Sequence, residues 1–380
     1  MNRDFDAVRR FILSRRSVVQ GLASIPLVAT LGGCAATVRA PSQDPIARNL
    51  AIAKKLYDGY HLAPQGGELR GVFDPADFAE GWTYFCPAEG GESTPATSAM
   101  AARANADFQR IRKRLPDYKM DDFSAWPTDF GCAWLWRANG HTSEGTLMEG
   151  WQALFIWTNA AGKVTRLEIF DDWHGFPQMM AYAWDVSLDE VTKTKDYGNS
   201  PWTPTPSSNY KGAPPAPPAR PASARAANNL RIARGFYDAF HESVKLGYVP
   251  APTNVDDWAA DSIIFSAWSG TNKGKFLAYN NPRPNYMWDT MPDYKMDHFA
   301  AWPNDDGCIW RWLVNGHDKD GRYHEFWEQV GFRTNAEGKI ARFEFYDGIG
   351  MAQTLGLNFK LPLEDVWDIR KFMAAMAKRG

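Results

Sequence analysis

The stretch MPDYKMDHFAAWPNDDGCIWRW begins at Met291, and LPDYKMDDFSAWPTDFGCAWLW begins at Leu115, 176 residues earlier. The two segments agree at 15 of 22 positions. Agreement of this extent within one chain indicates an internal duplication, which has to be recognised before any helix or strand is assigned. We therefore read the chain as two copies of one domain.

The repeat extends on both sides of this stretch. NLAIAKKLYDGYH (Asn49–His61) matches NLRIARGFYDAFH (Asn229–His241), and a longer match covers Asn139–Asp172 and Asn315–Gly348. Each copy spans about 130 residues, a usual domain size. Pro201–Pro221 holds eight prolines, a composition typical of an extended linker. The predicted organisation is a first domain over 49–184, a linker over 185–228, a second domain over 229–359 and a C-terminal helix over 360–380.

Both copies show the same order of predicted elements. The apolar stripe of Asn49–His61 predicts a helix, and a short second helix is expected near Pro75–Trp82 and Val255–Ala260. Four strands should then follow, and the TNAAGK turn joins the third and fourth of them in a hairpin. The plan is α+β, with helices on one face of a sheet. The strands predicted for the first copy are Asp117–Trp126, Cys132–Asn139, Met148–Thr158 and Val164–Asp171.

This order, together with the phrase TNAEGKIARFEFYD (Thr334–Asp347), resembles the nuclear transport factor 2-like (NTF2-like) superfamily. Its members include ketosteroid isomerases and SnoaL-like polyketide cyclases. The resemblance implies two tandem cones, in which helices pack on a strongly bent antiparallel sheet. Because such domains commonly dimerise through their sheets, it also implies that the fused copies form an intramolecular pseudo-dimer. Further oligomerisation is left open.

The composition excludes some partners and favours others. The 380 residues are 44% apolar and 23% charged, with a net charge of −2, so a nucleic-acid partner is not expected. The chain contains 17 Trp, 14 Tyr and 22 Phe. Such a surplus favours bulky cores or pockets for flat apolar ligands, and a small aromatic ligand is the expected partner.

The N-terminus reads as a targeting segment over residues 1–34. SRRSVVQ (Ser14–Gln20) has the twin-arginine pattern, and the apolar run Gly21–Leu31 is too short to span a bilayer. LGGC (Leu31–Cys34) resembles a lipoprotein cleavage box, in which Cys34 becomes lipidated. The prediction is a periplasmic protein that contacts the membrane only through a lipid anchor. The alternative is a plain signal peptide that is cleaved nearby.

No motif for a cofactor or a metal ion is evident. The sequence lacks a phosphate loop, a dinucleotide fingerprint and a nucleophile elbow, and no Cys or His pair has zinc-ligand spacing. Cys132 and Cys308 occupy equivalent positions and suit small buried sites, and Cys86 leaves the number odd. We expect neither a cofactor nor a metal.

Alternation along the strands groups the candidate side chains by sheet face. Cys132, Trp134 and Trp136 share one face, as do their counterparts Cys308, Trp310 and Trp312. This face can belong to a core, to a contact between the copies, or to a pocket wall. Glu149 shares a face with Trp151 in the first copy, and Glu325 shares one with Trp327 in the second.

Two aspartates end apolar strand stripes. Asp171 follows Leu167 and Ile169 on one face, and Asp347 follows Phe343 and Phe345. Desolvation raises the pKa of a carboxyl group toward neutrality and makes it a useful general base. The alternative for each aspartate is a cap of the next turn, and the alternative for Glu149 and Glu325 is an ion pair.

The resemblance adds an oxyanion-binding phenol, since ketosteroid isomerases place a tyrosine on the first helix facing the cone. Tyr57 and Tyr237 match this position, with a plain core role as the alternative. Differences between the copies slightly favour the second copy as the active one. His298 stands opposite Asp122 in the alignment, and Arg311 and Arg333 replace apolar residues.

The predicted function is a cofactor-independent acid–base enzyme, a lyase or an isomerase, acting on an apolar aromatic or polycyclic small molecule. Members of the resembled superfamily that release formaldehyde from lignin-derived aromatic dimers are one version. The alternative is a non-catalytic, exported small-molecule-binding lipoprotein. The candidate catalytic residues are Tyr237, His298, Glu325, Asp347, Tyr57, Asp122, Glu149 and Asp171. The candidate substrate-binding residues are Trp310, Trp312, Trp327, Arg333, Trp134, Trp136 and Trp151.

Overall fold

A computed structural model describes residues 44–63, 67–87, 91–188, 221–267, 270–273, 286–348 and 350–378. The predicted signal over residues 1–34, including Cys34, lies outside these ranges, as does most of the predicted linker. No helix in the described ranges is long and apolar enough to cross a membrane.

In the described part of the first copy, helices cover one face of a six-stranded sheet. The helices are α1 (Pro45–His61), α2 (Thr97–Arg114) and α3 (Gly175–Trp184). The strands are β1 (Phe78–Cys86), β2 (Gly91–Ser93), β3 (Lys119–Pro127), β4 (Gly131–His141), β5 (Leu147–Thr158) and β6 (Val164–Asp171).

The second copy repeats this plan. Its helices within the described residues are α4 (Ala224–Leu246), α5 (Tyr286–Thr290) and α6 (Gly350–Phe359), and the chain ends with α7 (Leu363–Trp367) and α8 (Ile369–Ala377). Its strands are β7 (Trp258–Ser266), β8 (Gly270–Lys273), β9 (Lys295–Asn304), β10 (Gly307–His317), β11 (Tyr323–Thr334) and β12 (Ile340–Asp347).

The two sheets have the same topology, which confirms the duplicated fold. Their strand orders are β2-β1-β6-β5-β4-β3 and β8-β7-β12-β11-β10-β9. The pairs β1–β6 and β7–β12 are parallel, so each sheet is mixed. The sequence analysis expected antiparallel sheets, and this expectation was wrong for these two pairs. In the first copy α2 separates the hairpin β1–β2 from the meander β3–β6, which allows β1 to lie beside the last strand in the same direction.

The sequence analysis misassigned the segment before the meander. Where a short helix was expected, only the 3₁₀ turns Pro75–Asp77 and Val255–Asp257 are helical, and the chain continues directly into β1 and β7. Neither these strands nor α2 was predicted. The stripe of α2 is weak, because Met100, Phe108 and Ile111 are its buried residues in an otherwise polar or Ala-rich helix.

The two sheets pack face to face, as predicted for a pseudo-dimer. The ring of Trp302 from the second copy lies 4.6 Å from that of Phe155 and 4.8 Å from that of Trp157 in the first copy. The indole Nε1 of Trp126 in the first copy donates to the backbone carbonyl oxygen of Phe332 in the second copy at 3.4 Å. The chain is therefore an α+β protein of two tandem cones of one topology, whose outer sheet faces cover one another.

Candidate active site

The cone of the first copy encloses a cavity of about 130 Å³ between its helices and the concave face of its sheet. An engineered apolar cavity of about 150 Å³ in another protein binds benzene, so this space fits one six-membered ring. The lining residues are predominantly apolar and aromatic, and they come from all three helices and from strands of the sheet. They include Leu56, Tyr60, Phe73, Tyr84, Met100, Arg103, Asp107, Phe108, Tyr118, Trp136, Gln152, Leu154, Asp171, Phe176, Met180 and Trp184.

A line of three hydrogen-bonded side chains crosses the wall of this cavity. Trp136, Gln152 and Asp171 lie directly opposite one another on β4, β5 and β6. The indole Nε1 of Trp136 donates to Gln152 Oε1 at 2.8 Å, and Gln152 Nε2 donates to Asp171 Oδ1 at 2.7 Å. Because the indole can only donate, it fixes the orientation of the amide, which in turn presents a donor to the carboxylate.

Three tyrosines share the cavity with Asp171. Tyr60 comes from α1, Tyr84 from β1, and Tyr118 from the residue before β3. Burial raises the pKa of Tyr118 well above its ordinary value, and the charges of Tyr60, Asp171 and Asp107 add to this effect. The Tyr118 phenol therefore keeps its proton at neutral pH and can act as a hydrogen-bond donor.

A charged pair on α2 marks the solvent-facing side of the cavity. Arg103 and Asp107 lie one helical turn apart, with Arg103 Nε 3.8 Å from Asp107 Oδ2, and both side chains keep about a third of their exposure. Burial raises the pKa of Asp107 despite the neighbouring arginines. The partly exposed part of the lining therefore carries a cation and a carboxyl group.

The sequence left open whether the aspartate at the end of this strand lines a pocket or caps the next turn, and two adjacent aspartates divide these roles. Asp171 lines the cavity, whereas Asp172 caps α3. Asp172 Oδ1 accepts hydrogen bonds from the backbone N–H groups of His174, Gly175 and Phe176, at 3.0, 2.6 and 3.0 Å. Burial raises the pKa of Asp172 to about 6, although these backbone donors oppose the shift.

The second cone carries a related line with one change. Trp312, Glu328 and Asp347 lie opposite one another on β10, β11 and β12, and Trp312 Nε1 donates to Glu328 Oε2 at 2.7 Å. A carboxyl group thus replaces the amide of Gln152. Burial and the nearby charge of Asp347 raise the pKa of Glu328 well above its ordinary value.

Two predicted carboxylates of the first copy lie outside the cone. Glu149 and Asp122 both pair with Arg137, at 3.1 and 3.2 Å, and their side chains are more than 40% exposed. Trp151 lies on the same outer face and packs on Phe265 and Tyr346 of the second copy. Odd-numbered residues of β5, which include Glu149 and Trp151, face outward, and Asp122 on β3 shares Arg137 with Glu149. None of the three is among the residues that line the cavity of the first copy.

The second copy requires similar corrections. The ring of His298 lies 6.1 Å from that of Trp327, on the sheet face that contacts the first copy. Arg333 packs on Trp126 and donates to the backbone of Ala125 across the same contact. Glu325 shares the outward-facing register of Trp327 and accepts a hydrogen bond from Tyr323 at 2.7 Å, while burial raises its pKa to about 7.

The remaining candidates lie in or beside the cones. Trp134, Trp310 and Trp312 are buried in the cone interiors together with the cavity residue Trp136, so the shared Cys/Trp/Trp face is cone interior in both copies. Tyr57 and Tyr237 are half-buried beside these indoles, stacked on a histidine one turn later. Burial, with nearby aspartates, raises the pKa of Tyr57 to about 12. Tyr57 is not among the cavity-lining residues.

Sequence reasoning missed Tyr60, Tyr118, Gln152, Asp107 and Glu328. The signal for Gln152 and Glu328 was present, because these residues occupy the inward-facing register of β5 and β11, beside the tryptophan and the aspartate that were singled out. Asp107 was missed with its helix. Among the described residues, no group of three or more His, Cys, Asp or Glu side chains is arranged to hold a metal ion.

Comparison with known proteins gives relatives of the fold only. No family model and no curated protein matches the chain. A ketosteroid isomerase-like protein from Catenulispora acidiphila, solved with trimethylamine, is 15% identical, with 36% of this chain and 95% of that chain covered and a TM-score of 0.26. A putative SnoaL-like polyketide cyclase from Jannaschia is 12% identical, with 38% and 96% covered and a TM-score of 0.28.

A putative isomerase of the SnoaL-like family from Agrobacterium tumefaciens is 16% identical, with 33% of this chain and 98% of that chain covered and a TM-score of 0.24. Each match has about the length of one copy. The structural neighbours thus belong to the NTF2-like and SnoaL-like group, and at these identities the likeness concerns the fold alone.

Proposed function

We propose that the protein is a cofactor-independent acid–base enzyme, an isomerase or a lyase, whose site is the cavity of the first copy. The observation that carries this proposal is the Asp171 carboxylate, held by Gln152 in the wall of an aromatic, ring-sized cavity. A carboxylate in such surroundings is costly unless it is paired or used. The proposal places the active site in the first copy, whereas the sequence slightly favoured the second.

The chemistry follows from the two kinds of polar group in the cavity. Asp171 removes a proton from a carbon next to the carbonyl group of the substrate. The electron pair of the C–H bond forms a C=C bond, and the π pair of the C=O bond moves to the carbonyl oxygen. The Tyr118 or Tyr60 phenol donates a hydrogen bond to the resulting enolate oxygen. Return of the proton from Asp171 to a different carbon completes an isomerisation. In a lyase reaction the C=O bond re-forms, the enolate C=C pair shifts to the bond between the α- and β-carbons, and the leaving group departs from the β-carbon with its bonding pair.

The cavity size narrows the substrate class. A ring with small substituents fits inside, whereas a fused polycyclic molecule exceeds about 130 Å³. A longer substrate has to extend past Arg103 and Asp107. The narrower version of the proposal is release of formaldehyde from a lignin-derived aromatic dimer, with one ring inside and the other at this charged rim. Where a carbonyl group adjoins the carbon that bears the hydroxymethyl group, Asp171 takes the hydroxyl proton, the O–H pair forms the C=O bond of formaldehyde, and the pair of the broken C–C bond forms the enolate.

The test is turnover of the full chain on a panel of cyclic unsaturated ketones and hydroxymethyl-bearing aromatic dimers. Asp171→Asn should lower kcat by about 10²–10⁴-fold without loss of folding, since general acid–base groups contribute on this scale. Glu149→Gln is the matched control, because Glu149 lies outside the cone and its replacement should leave kcat unchanged. Full turnover in Asp171→Asn would refute the acid–base role, and binding without turnover would favour the non-catalytic binder.

We also propose that the chain is exported by the twin-arginine route and anchored through a lipidated Cys34. The support is the sequence alone, namely SRRSVVQ before an apolar run and LGGC after it. In a bacterial host, replacement of both Arg15 and Arg16 by Lys should retain the protein in the cytoplasm. Cys34→Ser should block lipid labelling while the twin-arginine pair still directs export. Unchanged labelling in Cys34→Ser would refute lipidation at this residue.

A further inference from the structure

The cone interiors of the two copies differ at one position that determines their proton chemistry. The line Trp136–Gln152–Asp171 of the first copy becomes Trp312–Glu328–Asp347 in the second, with the first and third residue types retained. Gln152 supplies a neutral donor to its aspartate. An ionised Glu328 cannot donate a hydrogen bond to Asp347. The second copy therefore has two carboxyl groups on adjacent strands where the first has an amide and a carboxyl group.

The geometry of the pair disfavours two negative charges. Glu328 and Asp347 are directly opposed on antiparallel strands, where like charges are destabilising, and the charge of Asp347 adds to burial in raising the pKa of Glu328. Asp347 keeps only 3% of its exposure. Two carboxylates that share a site cannot both ionise near neutrality, so one proton remains between them.

Trp312 and side chains of helix α4 lie around this pair of carboxyl groups. The indole N–H of Trp312 donates to Glu328 Oε2, which leaves the other Glu328 oxygen for the contact with Asp347. Helix α4 packs Tyr237 and Phe240 against Trp312. Tyr237 is titratable, but burial raises its pKa, so the phenol stays neutral. Glu328 is only partly buried, like its counterpart Gln152, which lines the cavity of the first copy.

We propose that the second cone is a separate acid site, in which Glu328 and Asp347 share one proton and donate a hydrogen bond to the carbonyl oxygen of an uncharged ring ketone. The first cone presents an ionised carboxylate and abstracts protons, whereas the second presents a protonated pair. A net negative charge remains on the pair, so carboxylate-bearing ligands are excluded. This inference concerns the second cone alone and does not depend on turnover in the first.

The test is infrared spectroscopy of the full chain at neutral pH, in the carbonyl region where a protonated carboxyl group absorbs. Glu325 would add its own band, because its pKa is about 7, so all spectra are recorded in a Glu325→Gln background. Adding Glu328→Gln should remove one protonated-carboxyl band, and Asp347→Asn should remove the same band. Gln152→Glu should add one band, because it recreates the pair in the first cone.

The ligand is probed with acetophenone, an uncharged one-ring ketone. Acetophenone also fits the first cone, where the Tyr118 or Tyr60 phenol would lower its carbonyl frequency. In the background protein the second cone should therefore contribute its own shifted component, which is lost with Glu328→Gln but retained with Asp171→Asn. Absence of a protonated-carboxyl band in the background protein, or an unchanged band in both Glu328→Gln and Asp347→Asn, would overturn the proposal. A set of acetophenone components that is identical with and without Glu328→Gln would overturn the assignment of the ligand.

Discussion

Glu168 and Arg311 form an ion pair between the copies, and both side chains are fully buried. Arg311 donates through Nε to Oε2 at 2.6 Å and through Nη2 to Oε1 at 2.9 Å, while Arg166 reaches the same carboxylate. Burial alone would raise the pKa of Glu168, but Arg311 and Arg166 outweigh burial and hold this pKa below its ordinary value. Leu135 occupies the position in the first copy that is equivalent to Arg311, so the duplication does not produce a second ion pair of this kind between the copies.

Loss of this arginine should be strongly destabilising. Arg311→Met leaves Glu168 buried with one partner, and breaking a buried pair typically costs about 3–5 kcal/mol in the free energy of unfolding. The matched control is Lys245→Met, which removes an exposed lysine from its ion pair with Glu242 and should cost much less, because solvent screens an exposed pair. Chemical denaturation of the three proteins measures both values, and equal losses would contradict the role of burial.

The pH dependence of that loss has a definite sign. The folded-state pKa of Glu168 lies below its unfolded value of 4.5, so the ionised pair stabilises the protein above that pH. The stabilisation is lost as the pH falls through the folded pKa. The difference in unfolding free energy between wild type and Arg311→Met should therefore be largest near neutrality and shrink under acid conditions. A difference that grew on acidification would contradict this assignment.

At the scale of the element, strands β3 and β9 carry the same irregularity. Asp122 has φ of 54° and His298 has φ of 53°, and each lies where the pairing with the next strand shifts register. A bulge of this kind bends the edge of each sheet. Left-handed backbone is unfavourable for residues other than Gly, although Asp and Asn tolerate it better than β-branched residues.

Substitution at this bulge should rank by backbone preference. Asp122→Val should be less stable than Asp122→Gly by about 1–2 kcal/mol, because Val resists a positive φ. Both variants lose the ion pair with Arg137, so their difference isolates the backbone. Asp121, the preceding residue of the strand, is the control: there Val should be the more stable variant, since Gly weakens a strand. Thermal unfolding of the four variants gives the order, and the same order at both sites would refute the explanation.

At the scale of the whole molecule, the contact between the sheets should hold the copies together without a covalent link. It buries an aromatic cluster whose members include Trp126, Phe155, Trp157, Trp302 and Trp327. Cleavage at a protease site inserted in Pro201–Pro221 should therefore leave a complex that elutes at the size of the intact chain. Separation of the wild-type halves after cleavage would contradict an intramolecular pseudo-dimer.

A second variant tests whether the aromatic contact is responsible for this association. Trp302 contacts Phe130, Phe155 and Trp157 of the first copy and is fully buried. Trp302→Ala should weaken association by about 3–5 kcal/mol, the usual cost of removing a buried tryptophan, so the cleaved variant should dissociate on dilution. Size-exclusion chromatography over a dilution series measures the difference.

Local sequence patterns predicted much of the fold. The repeat established two copies of one topology, and the alternation of apolar residues gave the four strands of the meander in the first copy. The surplus of apolar residues on both strand faces indicated that each sheet needs cover on both sides. Strand alternation also grouped Asp171 with the apolar residues Leu167 and Ile169, which line the same cavity, because alternation is a local property of a strand.

Tertiary structure decided which face became cavity and which became contact. Alternation separates Trp151 from Gln152, but only the neighbouring sheet determines that Trp151 packs on the other copy and that Gln152 faces the cone. The register of three strands brings Trp136, Gln152 and Asp171 into one hydrogen-bonded line, although 35 residues separate the first from the last. Such contacts depend on long-range pairing, which no short window of sequence contains.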